Sequence, residues 1–431
     1  MKQLCVISAP PDTYSGYGAR SRDLIKAIYE LKKDEWDIRI LSQRWGSTPW
    51  GFLDNNKEEW GWMKELVLIG TQLPKQPDVW MQITVPNEFQ PLGKVNIGVT
   101  AGIETTVCDA EFVLGCNKMD VTLVSSNHAK QVLQASTFTE RDKATNAEIR
   151  SIKLEKPVEV LFEGVDLNKY FHIPDEELPE TDLVLDLDSI DEEFCYLYVG
   201  HWLQGDLGED RKNTGLLVKL FLETFKDKKK QPALIMKTSH GGASIMDREE
   251  ILKKIDAIRN TVVGKNLPNI YLVHGDMDDE DINNLYNHGK VKAFVSLTKG
   301  EGYGRPLAEF CLSKKPLITS AWSGHMDFLH PEYTILLPGT LTPCHPSAHS
   351  KGLIIEGASW FSVDNGATVK ALTDVYENYN KYEAAAKRQG HKIKTEFNYD
   401  NMVLLLNSYL TKYVTVEPVP ALVLPKLKKL S

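Results

Sequence analysis

Short, β-rich apolar runs alternate with longer amphipathic ones along this chain, and the alternation happens twice. In the first pass "LCVIS" (4–8), "DIRIL" (37–41), "VWMQIT" (79–84), "VNIGVT" (95–100), "VTLVSS" (121–126) and "VEVLF" (158–162) read as strands. Helical patterns such as "RSRDLIKAIYEL" (20–31) and "NHAKQVLQAS" (127–136) lie between them. The second pass runs through "CYLYVG" (195–200), "ALIMKT" (233–238), "IYLVHG" (270–275), "VKAFVSLT" (291–298) and "PLITS" (316–320). Its strands are spaced by patterns such as "TGLLVKLFLETFK" (214–226) and "DEDINNLYNHG" (279–289). Strands that alternate with helices predict parallel sheets covered by those helices, so the fold class is α/β.

The two passes are separated by "HIPDEELPETDLVLDLDSIDEEF" (172–194), whose charge run reads as a solvated linker and surface segment. A chain of 431 residues is too long for one ordinary core, and two domains are expected. The expected division is 1–172, an acidic linker 173–194, and a second α/β domain 195–395. An amphipathic helix at 396–415 and a tail 416–431, whose prolines forbid regular helix, complete the chain. Apolar content of 42% and charged content of 25% are those of a soluble globular protein, and a net charge of −9 speaks against a bulk nucleic-acid binder. No apolar run reaches the ~18 residues that span a bilayer, and "MKQLCVISAP" reads as a first strand rather than a signal peptide. Cys5, Cys108, Cys116, Cys195, Cys311 and Cys344 are scattered, which fits a reducing, cytoplasmic setting. Cys344, His345 and His349 in "PCHPSAHS" sit in one loop with no second ligand cluster, so no metal is expected there or elsewhere.

The stretch "KGEGYGRPLAEF" (299–310) carries the most chemistry. It follows a strand, so it lies at the carboxyl edge of a parallel sheet, where such sheets bind ligands. Pro306 suits a first helical position, and the free amides ahead of it favour an anion. Ionised carboxylates accept hydrogen bonds and donate none, so Glu301 and Glu309 are not phosphate ligands but do suit hydroxyls. Amides for phosphate with carboxylates for hydroxyls fit a nucleotide sugar. The plainer alternatives are that Glu309 complements the helix dipole and that Glu301 is solvated.

The extended segment "KGEGYGRPLAEFCLSKKPLITSAWSGHMDFL" resembles the signature of the retaining glycosyltransferases of family four (glycosyl transferases group 1). Its features are a Glu, a Gly-aromatic-Gly, a proline-started helix and a second Glu eight positions after the first. "FCYLYVGHWLQGDLGEDRKNTGLLVKLFLETF", "VEVLFEGVDLNKYF" and "NIGVTAGIETTVCDAEFVLGCNKMDVTLVSSNHAKQVL" are similar to further ordered segments of that family. The resemblance implies the GT-B fold, two Rossmann-like domains whose parallel sheets face a central cleft. The first would be the acceptor side and the second the nucleotide-sugar side, with the 396–415 helix crossing back to the first.

The same resemblance implies roles. Glu309 would bind ribose hydroxyls and Glu301 a hydroxyl of the transferred sugar. The amides of Gly302, Tyr303 and Gly304 would line the sugar and diphosphate. Lys212 would neutralise the leaving diphosphate, supported by Arg211 or Arg305; without the resemblance it is an exposed lysine in a polar loop. The family's Gly-Arg is replaced here by Gly200-His201, so His201 or Arg211 substitutes or the donor is gripped differently. In "SAPPDTYSGYGARSRDL" Gly16 and Gly18 make only a weak match to a dinucleotide fingerprint, because Ser21 holds the third glycine position. The family resemblance has this loop close over donor phosphates and acceptor, with Tyr17 and Arg20 as contacts; loop solvation is the alternative. Glu104 would orient the acceptor or bond the sugar across the cleft, or else cap "TTVCDAEF". Asn127 and His128 are further cleft candidates on the acceptor side, whereas Asp120 and Ser126 read as structural and Gly164 and Asp166 as a turn at the domain junction.

The implied activity is a metal-independent, retaining transfer from a UDP- or GDP-linked sugar to a hydroxyl acceptor, with no cofactor and the departing phosphate taking the acceptor proton. Rival readings are a non-catalytic nucleotide-sugar-binding protein, a transferase acting on a modified base in DNA, and a phosphorylase of the same fold. The acceptor class is open, no strong nucleic-acid or membrane signal is present, and a monomer or homodimer is expected.

Overall fold

The computed structural model describes residues 2–414 apart from 47, 71, 72, 74, 143, 203, 204, 206, 243 and 351, so the 416–431 tail lies outside the described residues. The first sheet is built from β1 (Gln3–Ala9), β2 (Trp36–Ser42), β3 (Val79–Ile83), β4 (Val95–Thr100) and β5 (Val121–Val124). A small hairpin of β6 (Phe138–Arg141) and β7 (Glu148–Ile152) intervenes before β8 (Val158–Val160) closes that sheet. The second sheet comprises β9 (Cys195–Val199), β10 (Ala233–Lys237), β11 (Ile270–Val273), β12 (Val291–Ser296), β13 (Leu317–Ser320) and β14 (Ile335–Leu337). A second hairpin, β15 (Gly339–Pro343) with β16 (Ser359–Val363), follows.

The strand orders are β2-β1-β3-β4-β5-β8 and β11-β10-β9-β12-β13-β14, with every pairing in both sheets parallel. Each sheet therefore grows outwards in two directions from a central strand. At the reversal, between β1 and β3 and between β9 and β12, successive connections leave on opposite faces and open a crevice at the carboxyl ends. Both sheets turn those ends toward each other. Ser125 after β5 donates its hydroxyl to the Gly302 carbonyl after β12 (2.9 Å), and the Asn127 amide donates to Asp327 Oδ2 (2.8 Å). The Thr106 amide donates to the Ser359 carbonyl of β16 (2.9 Å), so the second hairpin also reaches across.

Packing explains how the chain returns. Helix Tyr399–Tyr413 carries Met402, Leu406 and Leu410 at four-residue spacing, one stripe of a helix. All three are buried in the first sheet's core with Ile7, Ile25, Ile38 and Met81. Full burial of each such side chain stabilises by roughly 1.5–3 kcal/mol. The returning segment runs beside the outgoing one at Gly164, where a β-carbon would stand 2.6 Å from the Asn398 carbonyl oxygen. Val165 bonds its amide to the Phe397 carbonyl (2.9 Å) and its carbonyl to the Tyr399 amide (2.8 Å).

The acidic 172–194 segment differs from the solvated linker expected of it. Within it, helix Asp182–Asp188, capped by Thr181, buries Val184 and Leu187, and Ile190 follows them inward. Leu187 and Ile190 join the second sheet's core beside Leu285 and Tyr286. Three spaced apolar residues among many acids give too weak a period to stand out. The β14 edge strand and both hairpins were likewise not expected from the sequence.

Candidate active site

Two loops meet at the crevice of the second sheet, one leaving β9 and one leaving β12. Three glycines shape the latter. Gly304 adopts φ of 100° and starts helix Arg305–Cys311, with Pro306 in its first turn. Gly300 and Gly302 serve a different need. A β-carbon on Gly300 would lie 2.1 Å from the Glu104 carbonyl oxygen, and one on Gly302 would lie 2.3 Å from that of Ala101. Both are glycine because the backbone of the opposite half lies directly on them.

The β9 loop supplies Arg211 and Lys212. It is tied to its partner loop by the Lys299 amide, which donates to the Arg211 carbonyl (2.8 Å). Lys212 Nζ stands 2.6 Å from Glu301 Oε1, and Arg211 stands 3.4 Å from Glu301 Oε2 and 2.6 Å from the Gly300 carbonyl oxygen. The other arm of the same guanidinium reaches Glu104 Oε1 at 3.2 Å. Glu104 and Glu301, from opposite halves, thus share one arginine. Glu301 is only 7% exposed. Burial alone would raise its pKa, but the charges of Lys212 and Arg211 overcome this and hold it down to about 2. Burial opposes the charge of Arg211 as well, and Glu104 with Glu301 outweigh it, so its pKa rises. Glu104 does not cap the next helix; Asp109 does, accepting from the Glu111 amide at 2.8 Å.

Glu309 sits apart from this cluster. It lies 3.5 Å from Arg305 of its own helix, and burial pushes its pKa up to about 7, with Asp279, Asp23 and Glu163 adding to the rise against Arg305. Arg305 was expected to support Lys212; the structure instead turns it to the first half, 2.6 Å from Asp23 and 3.5 Å from Glu163. It is a cross-half tether, because its nearest counter-charge is Asp23 of the other half, with Glu163 as near as its own helix's Glu309. Tyr303 packs its buried ring on Phe328 (4.9 Å), leaving only its backbone for a ligand.

His201, at the crevice mouth, faces Ser239 (Nδ1 to Oγ, 3.3 Å). Desolvation, then the charges of Lys212 and Lys237, lower its pKa, so it is a poor stand-in for an arginine. Lys237 was not singled out from the sequence, although a lone lysine ending the apolar run "ALIMK" was the available signal.

In the first half, Ser15 caps helix Gly16–Lys32 by accepting from the Gly18 amide (2.9 Å). Gly18 is needed because Thr13 O would lie 2.2 Å from a β-carbon there, whereas Gly16 has open space around it. Tyr17 reaches the end of β4, its hydroxyl 2.9 Å from Thr100 Oγ1 and accepting from the Ala101 amide at 3.1 Å, with its ring stacked on Trp45 (3.9 Å). Arg20, an expected acceptor contact, is 2% exposed and donates to the Leu161 (2.6 Å) and Phe162 (3.0 Å) carbonyls. Those bonds hold the end of the first sheet and tie the guanidinium to backbone carbonyls of its own half. His128 meets the other half edge-on at Trp322 (4.6 Å), and burial pushes its pKa down to about 4. Asp120 and Ser126 are structural as expected: Asp120 accepts from the Asn96 amide (2.8 Å) and Ser126 caps helix Asn127–Ala135. Among the described residues, no group of three or more His, Cys, Asp or Glu is arranged to hold a metal ion.

No protein-family model matches the sequence, and no curated protein is detectably similar to it. Solved structures do match. A glycosyltransferase from Rickettsia africae is 12% identical with a TM-score of 0.64, over 96% of this chain and 100% of that one. Anabaena HepE in complex with UDP-glucose is 11% identical with a TM-score of 0.60, over 95% and 99%. A trehalose-6-phosphate synthase, studied for glycosyl transfer with retention, is 12% identical with a TM-score of 0.58, over 95% and 99%. The fold is GT-B. Two Rossmann-like domains, each a six-stranded parallel sheet, face one another across the cleft.

Proposed function

We propose that this chain is a nucleotide-sugar-dependent glycosyltransferase of the family-four type, transferring a sugar from a UDP- or GDP-linked donor to a hydroxyl acceptor with retention. The observation that carries this reading is the cluster at the β9–β12 crevice. There Arg211 and Lys212 press on a buried, ionised Glu301 directly opposite Glu104 of the other half. The binding of UDP-glucose by a protein of like fold supports a nucleotide-sugar donor, and the study of retention on another supports that outcome.

In this reading Lys212 exchanges part of its bond to Glu301 for the donor diphosphate. Glu301, relieved of one counter-charge, accepts from hydroxyls of the transferred sugar, which a carboxylate does well. Glu309 accepts from the ribose hydroxyls when ionised. The acceptor oxygen attacks the anomeric carbon on the face the phosphate leaves: the new C–O bond forms as the C–O bond to phosphate breaks. The acceptor proton passes to the departing phosphate oxygen. Lys212 stabilises the charge growing there, and positioning by the two halves supplies much of the remainder. No resident metal is assigned a role.

The test is a thermal-shift panel of UDP- and GDP-sugars, because a ligand that binds only the folded state raises the melting temperature with its affinity. At least one donor is expected to raise it, and that donor to release its nucleoside diphosphate with the enzyme present. A panel that shifts nothing would refute the reading. Product anomer by NMR tests retention, and activity abolished by a chelator and restored by manganese would contradict metal independence.

A further inference from the structure

We propose that Lys237 is a donor-binding residue that grips the diphosphate in place of the arginine expected where His201 stands. The inference rests on the glycosyltransferase reading above and deepens it.

The position is set by strand pairing. Lys237, the last residue of β10, is in register with Val199, the last residue of β9, and its carbonyl accepts from the Gly200 amide (3.1 Å). The loops then continue side by side, with Trp202 donating its amide to the Ser239 carbonyl (2.8 Å) and His201 facing the Ser239 hydroxyl. Lys237 is therefore anchored beside the backbone from which the expected arginine would project.

Elimination among the cations points the same way. Arg211 is committed to Glu104, Glu301 and the Gly300 carbonyl. Arg305 is committed to Asp23 and Glu163. Lys299 bonds the Gly208 carbonyl and lies over the Trp360 ring (4.3 Å), with only 3% of its surface exposed. His201 sits among Lys212, Lys237 and Arg211, where a further positive charge is disfavoured.

Lys237 differs from all of these. Ala233, Leu234, Ile235 and Met236 before it are fully buried, while its own side chain is half-buried. Its ammonium donates to the Gly275 carbonyl (2.6 Å), a neutral partner, and it belongs to none of the described ion pairs. Burial lowers its pKa and Asp276 only partly offsets this. A lysine has three N–H donors, so a half-buried ammonium with one neutral acceptor here has donors left for an anion. Ending an apolar strand on such a charge is costly without a ligand, and a diphosphate between Glu309 and Lys212 would be within the same crevice.

The test compares UDP with uridine, and GDP with guanosine, by titration calorimetry on the wild type, Lys237→Gln and Lys237→Arg. A lost charge-assisted bond to phosphate predicts UDP or GDP binding weakened about tenfold or more in Lys237→Gln. Nucleoside affinity should stay within about twofold, and Lys237→Arg should recover most of the loss. Nucleoside and nucleotide affinity falling together in Lys237→Gln, with no recovery in Lys237→Arg, would overturn the charge assignment. So would diphosphate affinity in Lys237→Gln within twofold of wild type. A wild type that binds neither UDP nor GDP would instead overturn the glycosyltransferase reading itself.

Discussion

Replacing Gly302 by alanine isolates what the close meeting of the two halves contributes. Gly302 does not occupy the left-handed region, so alanine meets no backbone strain there. It meets the other half: the added carbon would stand 2.3 Å from the Ala101 carbonyl oxygen and 3.1 Å from its carbon, where contacts under 3.0 Å essentially never occur. The carbonyl is backbone and cannot swing aside, so the halves must part by most of an ångström. A displacement of ~1 Å between reacting groups costs on the order of 10²-fold in rate. Each half keeps its own core, and the nucleotide is gripped from the second half. The expected outcome is therefore a split: turnover of the donor identified by thermal shift falls about 100-fold, while UDP or GDP affinity stays within about threefold. Gly16→Ala, with open space around the added carbon, is the control and should change neither. Unchanged turnover in Gly302→Ala would refute the reasoning. Nucleotide affinity falling as far as turnover would do the same, because Gly302 would then be gripping the donor rather than spacing the halves.

Lys212→Ala should lower turnover by about 10²–10³-fold with a much smaller change in donor affinity, measured by initial rates against calorimetry. Glu309 makes stability depend on pH. Its folded pKa is raised to about 7, so the folded state keeps a proton that the unfolded chain releases near pH 4.5. Stability is thus lost as pH rises from about 4.5 to 7, by roughly 3 kcal/mol at the plateau. Urea unfolding at pH 5 and 7.5 should show this fall in wild type and a shallower one in Glu309→Gln. Arg20→Met should destabilise by about 3 kcal/mol in urea unfolding, since it strands the Leu161 and Phe162 carbonyls. UDP or GDP affinity should not change in that variant.

The sequence disclosed the strands because each is a short apolar block between helices. "VNIGVT" occupies the predicted residues of β4, and "DIRIL" lies inside β2 with one residue added at each end. It disclosed less where structure depends on what lies opposite. The edge strand β14 is three residues long, and β15–β16 is stabilised by Trp360, Cys344 and Ala358 packing on one another, a relation no local pattern announces. The candidate site divides in the same way. Lys212 and Glu301 are read from two separated motifs, and the fold brings them within 2.6 Å. The glycines beside Glu301 were legible as a turn, but that two of them exist for the opposite backbone is a tertiary fact. Arg305 and Arg20 look alike in sequence to any phosphate-facing arginine. Only the placement of Asp23, Glu163 and the Leu161 carbonyl shows where each is spent.

The helix that returns from the second half has a consequence for the order of synthesis. The first domain begins its core at Cys5 and completes it with Met402, Leu406 and Leu410. A ribosome delivers domains from the amino end, and most fold as they emerge. Here the first domain must wait with an exposed apolar groove until the entire second domain has been made and has threaded its last helix back. A truncation before Tyr399 would leave every cleft residue in the chain and still deprive the first domain of part of its interior.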